Sequence, residues 1–287
     1  MAGVGPPWKS AHRDRHSGGV VSSLAPARRR LVLSVLTVLA IAVLVLGAVF
    51  VIQRIDPDQV AVDQDQLGPV LLVPGYGGST GSLRTLAARL TQAGRDATVV
   101  PLPGDGTGDL NAAADALGTA AESAMARSGA TSVDVLGYSA GGIVARLWVA
   151  DGGAGVTRRV VTLGSPHHGT DLAALAGTVT IDACPEACRQ LATDSDVLRR
   201  LNAGDETPPG PTWVSIWTTQ DRTVTPPDTA HLDGAINSSV QSVCADAVVG
   251  HSELPSNPLV QEMVLAEFAT GAPVQLTDAD CATLRQD

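Results

Sequence analysis

The fold of this chain is decided by residues 133–149, whose sequence is VDVLGYSAGGIVARLWV. Residues 133–136 form a short apolar run with one aspartate, which is typical of a strand. Residues 143–149 have the apolar spacing of a helix. The glycine-rich segment between them leaves room only for a sharp turn, so this stretch predicts a strand that leads almost directly into a helix.

On both sides of this stretch, strand-like segments alternate with helix-like segments. Strands are predicted at residues 70–73, 97–102, 160–163 and 213–217 and, more weakly, at 239–243. Helices are predicted at 83–90, 110–125 and 258–268, the last with a proline in its first turn. The alternation predicts an α/β fold with a minimal, mostly parallel sheet of about six strands and helices on both faces.

Residues 167–211 form a 45-residue insertion between the fourth and fifth strands. Ordinary connections in α/β domains are far shorter. The insertion contains two cysteines and a helical piece at 197–201. We interpret it as a cap over the carboxyl edge of the sheet, within a body domain of residues 69–287.

The amino-terminal part of the chain predicts a membrane anchor. Residues 31–52 are 22 residues without a charge, and a helix of that length spans about 33 Å, enough for a bilayer core of about 30 Å. Three arginines at 28–30 directly precede it, so a basic tail of residues 1–30 should remain in the cytoplasm. A linker at 53–68 then leads to the body outside the cytoplasm. A cleaved signal peptide, with secretion of the body, is the alternative.

The charge of the body excludes one class of partner. From Asp56 onward there are 12 arginines and 28 acidic residues, a net charge of −16. Proteins that bind nucleic acids need a basic face, so nucleic-acid binding is excluded. Hydrophobic residues make up 44% of the chain, which is enough for a core and excludes wholesale disorder.

The four cysteines all follow the predicted anchor, as expected for disulfide bonds in an exported domain. Three connectivities are possible. Our hypothesis is that Cys184 pairs with Cys188, its near neighbour, and that Cys244 pairs with Cys281 to hold the polar carboxyl-terminal tail. A zinc site is the alternative, but no second pair of cysteines has matching spacing. We therefore predict no metal ligands.

The turn at residues 137–141 matches the pattern G-x-S-x-G, in which a serine nucleophile lies between a strand and a helix. A second match, at 77–81, lies in a glycine-rich loop six residues beyond the first strand. Because only Ser139 has the strand–turn–helix context, we predict that Ser139 is the nucleophile and that the match at Ser79 is accidental.

The predicted acid and base follow the order Ser, Asp, His that is typical of this motif. Asp221 follows the fifth strand directly, whereas Asp228 and Asp233 lie further on. His251 lies on the loop before the last helix, where the base belongs. Of the other histidines, those at 167, 168 and 231 precede the acid or follow it too closely, so hydrogen-bonding roles are expected for the first two.

An oxyanion intermediate needs two fixed backbone N–H donors. We predict that Ala140, the residue after the nucleophile, supplies one and that Tyr76, in the loop after the first strand, supplies the other. A phosphate-binding loop is the alternative for the glycines at 75–78, but the required GK[ST] ending is missing.

These residues give the chain a family resemblance. The segments VLLVPGYGG (70–78), VLGYSAGG (135–142), TLGSPHHGT (162–170), QDRTV (220–224) and GHSELP (250–255) are similar to those of small bacterial lipases and esterases of the actinobacterial type, in the α/β-hydrolase superfamily. The resemblance implies an α/β-hydrolase fold and a serine hydrolase of small-molecule or lipid carboxylic esters that needs no cofactor. It also implies Ser139, Asp221 and His251 as the triad, with Tyr76 and Ala140 as oxyanion donors. An acyltransferase with the same triad, or a surface module without activity, remains the alternative.

Overall fold

The computed structural model describes residues 30–31, 33–43, 62–171 and 184–286, in two compact units, Met1–Asp58 and Gln59–Asp287. In the first unit, the described residues are helical and their side chains are exposed. Among all described residues, no helix is both long enough and apolar enough to cross a bilayer. Residues 32 and 44–52 of the predicted anchor, and 53–61 of the predicted linker, lie outside the described residues.

The second unit is built on a six-stranded sheet in which every neighbouring pair of strands is parallel. The strand order is β2-β1-β3-β4-β5-β6. The central strands β1, β3 and β4 are almost entirely buried, as their apolar sequences predicted. The six strands are β1 (Val70–Val73), β2 (Ala97–Val99), β3 (Val133–Tyr138), β4 (Thr157–Leu163), β5 (Thr212–Trp217) and β6 (Ile236–Ser239).

Helices cover both faces of this sheet, which confirms the predicted α/β architecture. One core contains side chains of α2 and α3 together with those of α4 and α5. The other core contains side chains of α1 and α7. The described helices of this unit are α1 (Gly81–Gln92), α2 (Leu110–Ser128), α3 (Ala140–Ala150), α4 (Glu186–Gln190), α5 (Asp196–Leu201), α6 (Val240–Val243), α7 (Pro258–Glu267) and α8 (Cys281–Leu284).

The position of the sixth strand was predicted wrongly. Strand β6 is Ile236–Ser239, and residues 240–243 of the predicted strand form helix α6. The side chain of Ser239 accepts a hydrogen bond from the backbone N–H of Ser242 at 3.0 Å, as an N-cap does. Because this cap begins a helix, the apolar residues that follow pack as a helical turn. Strand β2 is also shorter than predicted and ends at Val99, shortly before Pro101.

A buried ionic cluster ties the starts of the central strands to the end of α7. Arg158 donates to both carboxylate oxygens of Asp134, at 2.8 and 2.6 Å, and Arg95 donates to the same group at 2.5 Å. Both arginines also donate to the backbone carbonyl of Phe268, at the carboxyl end of α7. Cations are favourable at this end of a helix because its last carbonyls have no intrahelical partners.

The end of the predicted linker belongs to the body. Gln64 donates to the backbone carbonyl of Arg158 at 3.2 Å, and its side-chain oxygen accepts hydrogen bonds from Arg159 and Thr212. Gln64 therefore contacts the starts of strands β4 and β5. The extent of the linker stays a prediction, because residues 53–61 lie outside the described residues.

The described part of the insertion packs on the face of the sheet that α2 and α3 cover. Ala187 of α4 and Leu198 of α5 are buried in the core that contains α2 and α3. Residues 172–183 of the insertion lie outside the described residues. The cap therefore stays a prediction.

Both disulfide bonds have the pairing that we predicted. Cys184 lies just before α4 and Cys188 lies within it, with their Cα atoms 5.4 Å apart. Cys244 and Cys281 connect the end of α6 to the start of α8 with a Cα–Cα distance of 5.2 Å. The second bond anchors the carboxyl-terminal tail seven residues before His251.

Candidate active site

Ser139 lies in a strained turn between the central strand β3 and helix α3. Strand β3 ends at Tyr138 and helix α3 begins at Ala140, so the turn is a single residue. Ser139 has φ 53° and ψ −124°, and it is the only described residue other than glycine with positive φ. A Cβ on Gly137 would lie 2.4 Å from the Cα of Gly142, so only glycine fits there. Backbone strain of this kind is concentrated at functional sites.

The structure brings Ser139, His251 and Asp221 together in one hydrogen-bonded chain. The Oγ of Ser139 lies 3.1 Å from Nε2 of His251, and Nδ1 of His251 lies 2.6 Å from Oδ2 of Asp221. With its Nδ1–H donated to the carboxylate, the imidazole leaves Nε2 as the acceptor for the serine proton. This arrangement can deprotonate the serine and stabilise the imidazolium that results.

The backbone around Asp221 fixes the orientation of its carboxylate. Oδ1 accepts hydrogen bonds from the backbone N–H groups of Thr223 and Val224, both at 2.8 Å. This leaves Oδ2 directed at His251. Asp221 is buried in the turn that follows β5, so solvent competes little for this interaction.

The loop that bears His251 is held by neighbours that sequence reasoning missed. Thr218, at the end of β5, donates to the backbone carbonyl of Val249 at 2.7 Å, and Gln220 accepts from the N–H of Val249 at 3.1 Å. The hydroxyl of Tyr138 donates to the backbone carbonyl of His251 at 3.3 Å, and the two rings are 5.2 Å apart. Burial and, to a smaller extent, the charge of Asp221 raise the pKa of Tyr138 to about 12, so this hydroxyl keeps its proton and stays a donor.

The other serine and histidine candidates lie elsewhere. Ser79 is exposed in the loop before α1. His168 is paired with Glu206 at 2.8 Å, and His231 is 3.5 Å from Asp233. His167 is fully buried with Nε2 3.1 Å from the hydroxyl of Thr162. Burial and the charge of Arg146 lower its pKa well below the usual value, so it is neutral.

The two predicted oxyanion donors border the serine. Ala140 is the first residue of α3, and the first N–H groups of a helix have no intrahelical acceptor. The loop that contains Tyr76 passes directly beside the turn, because a Cβ on Gly75 would lie 3.0 Å from the Cβ of Ser139. Its conformation is held by a hydrogen bond from the Gly78 N–H to the carbonyl of Gly75 at 3.0 Å.

In the part of the chain that the structure describes, no group of three or more histidine, cysteine or acidic side chains is arranged to hold a metal ion.

Comparison with solved structures identifies the fold. Lipase B of Aspergillus fumigatus has a TM-score of 0.63 at 20% identity, over 78% of this chain and 58% of that chain. The lipase BlEst2 of Bacillus licheniformis in its propeptide form has a TM-score of 0.60 at 18% identity, over 74% of this chain and 52% of that chain. The chain has an α/β-hydrolase fold.

Sequence comparison adds a partial family match. The model of the PGAP1-like alpha/beta domain matches residues 110–248, a range that includes Ser139 and Asp221 and ends before His251. No curated protein sequence matches the chain. The chain spans somewhat more than half the length of the two lipases that it resembles.

Proposed function

We propose that this α/β-hydrolase is a serine hydrolase of carboxylic esters, with Ser139, His251 and Asp221 as its catalytic triad. The observation that carries the proposal is the continuous hydrogen-bonded chain from Asp221 through His251 to Ser139. The serine of this hydrogen-bonded chain lies in the strained turn at the end of the central strand β3. The resemblance of the fold to lipases agrees with this proposal.

In the proposed reaction, the hydroxyl of Ser139 attacks the acyl carbon while Nε2 of His251 takes its proton. His251 then returns this proton to the leaving alcohol, and an acyl-enzyme remains. A water molecule, deprotonated by the same nitrogen, then attacks the acyl carbon; the bond from this carbon to Oγ of Ser139 breaks, His251 returns the proton to Oγ, and the carboxylic acid leaves. The carboxylate of Asp221 orients the imidazole and stabilises its charged form through both steps.

The negative oxygen that develops during each attack needs donors that are in place beforehand. We propose the backbone N–H groups of Tyr76 and Ala140 for this role. Two observations support it: Ala140 is the first residue of α3, where N–H groups have no intrahelical acceptor, and Gly75, the residue before Tyr76, is packed against Ser139.

The direct test combines two measurements on the full-length protein. Hydrolysis of p-nitrophenyl esters reports turnover, and covalent labelling by a fluorophosphonate probe reports an activated serine. Ser139→Ala should abolish labelling and lower kcat about a million-fold, whereas the matched variant Ser79→Ala should retain both. Equal loss in the two variants would contradict the choice of nucleophile.

The same acyl-enzyme could also pass its acyl group to an alcohol instead of water. Product analysis with and without an added alcohol separates the two outcomes. Formation of a new ester as the main product would identify an acyltransferase and would contradict hydrolysis as the main reaction.

We further propose that residues 31–52 anchor the protein in the cell membrane, with the body outside the cytoplasm. The uncharged run, the arginines that precede it and the two disulfide bonds of the body support this topology. Retention in the membrane pellet after alkaline extraction, with the body digested by protease added to spheroplasts, is the expected result. A mature protein whose amino terminus lies beyond residue 31 would show cleavage and secretion instead.

A further inference from the structure

A small apolar cavity lies beside Ser139, with a volume of about 40 Å³. Gly75 and Ala140, which adjoin the proposed oxyanion site, are among the residues that line it. Its other walls come from the loop after β2 and from helices α2 and α3, and they include Leu102, Gly106, Leu110, Ala113 and Val144. One water molecule needs about 10–15 Å³ on this scale, so the cavity has room for roughly three or four groups of that size, such as methylenes.

The wall formed by the loop after β2 is fixed to the oxyanion loop. The backbone N–H of Gly77 donates to the carbonyl of Gly106 at 3.1 Å. The two loops touch so closely that a Cβ on Gly106 would lie 2.6 Å from the backbone nitrogen of Gly78. The cavity therefore cannot widen on this side without breaking a contact that also positions Tyr76.

Helix α4 of the insertion holds the same wall from the other side. Gln190 accepts a hydrogen bond from the backbone N–H of Leu110 at 2.8 Å and donates to the carboxylate of Asp109 at 2.7 Å. The N–H of Ala187 donates to the carbonyl of Thr107 at 3.0 Å. The bond from Gln190 is also the main reason why the pKa of Asp109 is lowered. The disulfide bond between Cys184 and Cys188 links the residue two positions before α4 to the middle of this helix.

We propose that this cavity is the acyl-binding pocket, that it accepts acyl groups of about two to four carbons, and that Gln190 is the positioning residue that keeps it short. This inference rests on the proposed ester hydrolysis. The pocket is assigned to the acyl group because Gly75 and Ala140, which border the proposed oxyanion site, are among its lining residues. The leaving alcohol would lie on the other side of the acyl carbon, away from this pocket.

The first experiment measures kcat/KM of the full-length protein for p-nitrophenyl esters from acetate to laurate, in which only the acyl chain varies. One methylene too many in an apolar pocket costs about 10-fold or more, so octanoate should react at least about 10-fold more slowly than butyrate. A parallel series of acetate esters with alcohols of one to eight carbons should show a much weaker dependence.

The second experiment changes the walls of the pocket. Ala113→Leu fills it and should lower the rate with butyrate more than the rate with acetate. Ala116→Leu makes the same change one turn further along α2, outside the cavity, and serves as the matched control. Leu102→Ala enlarges the pocket and should raise the octanoate-to-butyrate ratio, so the test does not depend on a variant in which the core is overfilled.

Gln190→Ala releases Asp109 and Leu110 and should also raise the octanoate-to-butyrate ratio, mainly through KM for the longer ester. Glu186→Ala, an exposed position on the same helix, is its control. A merely structural role of Gln190 would lower the rates with all esters equally and leave the ratio unchanged.

The outcomes separate the two proposals. Flat acyl-chain dependence, or a steep dependence on the alcohol instead, would overturn the short acyl pocket while leaving ester hydrolysis intact. The absence of both ester turnover and probe labelling at Ser139 would overturn the proposed function itself.

Discussion

Replacing Asp221 by asparagine should leave the fold intact and reverse the proton arrangement of His251. Oδ1 of Asp221 accepts two backbone N–H groups, from Thr223 and Val224. The asparagine must therefore keep its carbonyl oxygen at that position, which turns its NH₂ group toward Nδ1 of His251. Nδ1 then has to accept a hydrogen bond, so the ring proton moves to Nε2. An Nε2 that carries a proton cannot deprotonate Ser139.

The size of the effect follows from the loss of the base. A triad whose histidine is held in the wrong tautomer loses about 10,000-fold in kcat, which corresponds to about 5.5 kcal/mol of transition-state stabilisation. The thermal stability should change little, because the isosteric side chain keeps both backbone hydrogen bonds. The loss should therefore appear in kcat, with only a small change in KM.

The assay is p-nitrophenyl acetate hydrolysis with the melting temperature measured in parallel. Asp228→Asn is the matched control, because Asp228 follows the same strand and its side chain is exposed. It should retain the activity of the unmodified protein. If Asp221→Asn were folded and kept more than about a tenth of the activity, the assignment of Asp221 as the acid of the triad would be refuted.

Four further predictions concern stability and organisation. Cys281→Ser should lower the free energy of unfolding by about 4 kcal/mol on the loop-entropy model, against about 2 for Cys188→Ser, and only the former should also reduce activity; urea unfolding of both variants checks this order. Asp134→Ala should cost about 3–5 kcal/mol by the same measurement, since it leaves buried arginines without a counter-charge, and a loss under 1 kcal/mol would contradict the importance of the cluster. Burial raises the pKa of Glu267 from 4.5 to about 7. Its contribution to the free energy of unfolding is therefore complete below about pH 4.5 and is lost as the pH rises to about 7, by about 3 kcal/mol. Glu267→Gln should remove this pH dependence, and an unchanged profile would contradict it. A truncated protein that begins at Asp56 should fold and hydrolyse esters without detergent, whereas recovery only in detergent would show that residues 31–52 pack on the body.

The architecture of the body and the members of the candidate site could be predicted from the sequence because both depend on local patterns. Apolar runs that alternate with helical spacing specify a parallel sheet covered on both faces. The sharp turn at Ser139 requires glycines nearby, and these are visible as the pattern at 137–141. The chain order of Ser139, Asp221 and His251 then limited the choice of partners to one acid and one base.

Other features depend on contacts between residues far apart in the chain. The sixth strand was misplaced because residues 240–243, two valines around a glutamine and a serine, suit a strand and a helical turn equally well, and the cap at Ser239 decides between them. Charges within the strands, such as those of Asp134 and Arg158, give no local signal of burial. They become favourable only because the tertiary structure places them against each other and against the end of α7.

The size of the cavity beside Ser139 was decided entirely by the tertiary structure. Its walls come from segments that are distant in sequence, and Gln190 reaches back 80 residues to hold Leu110. No periodicity or motif marks such a residue, because its role depends on where the insertion folds. The sequence by itself therefore determined the sheet and the reactive groups, whereas the tertiary structure determined the space that a substrate can occupy, since that space is what remains after distant segments have packed.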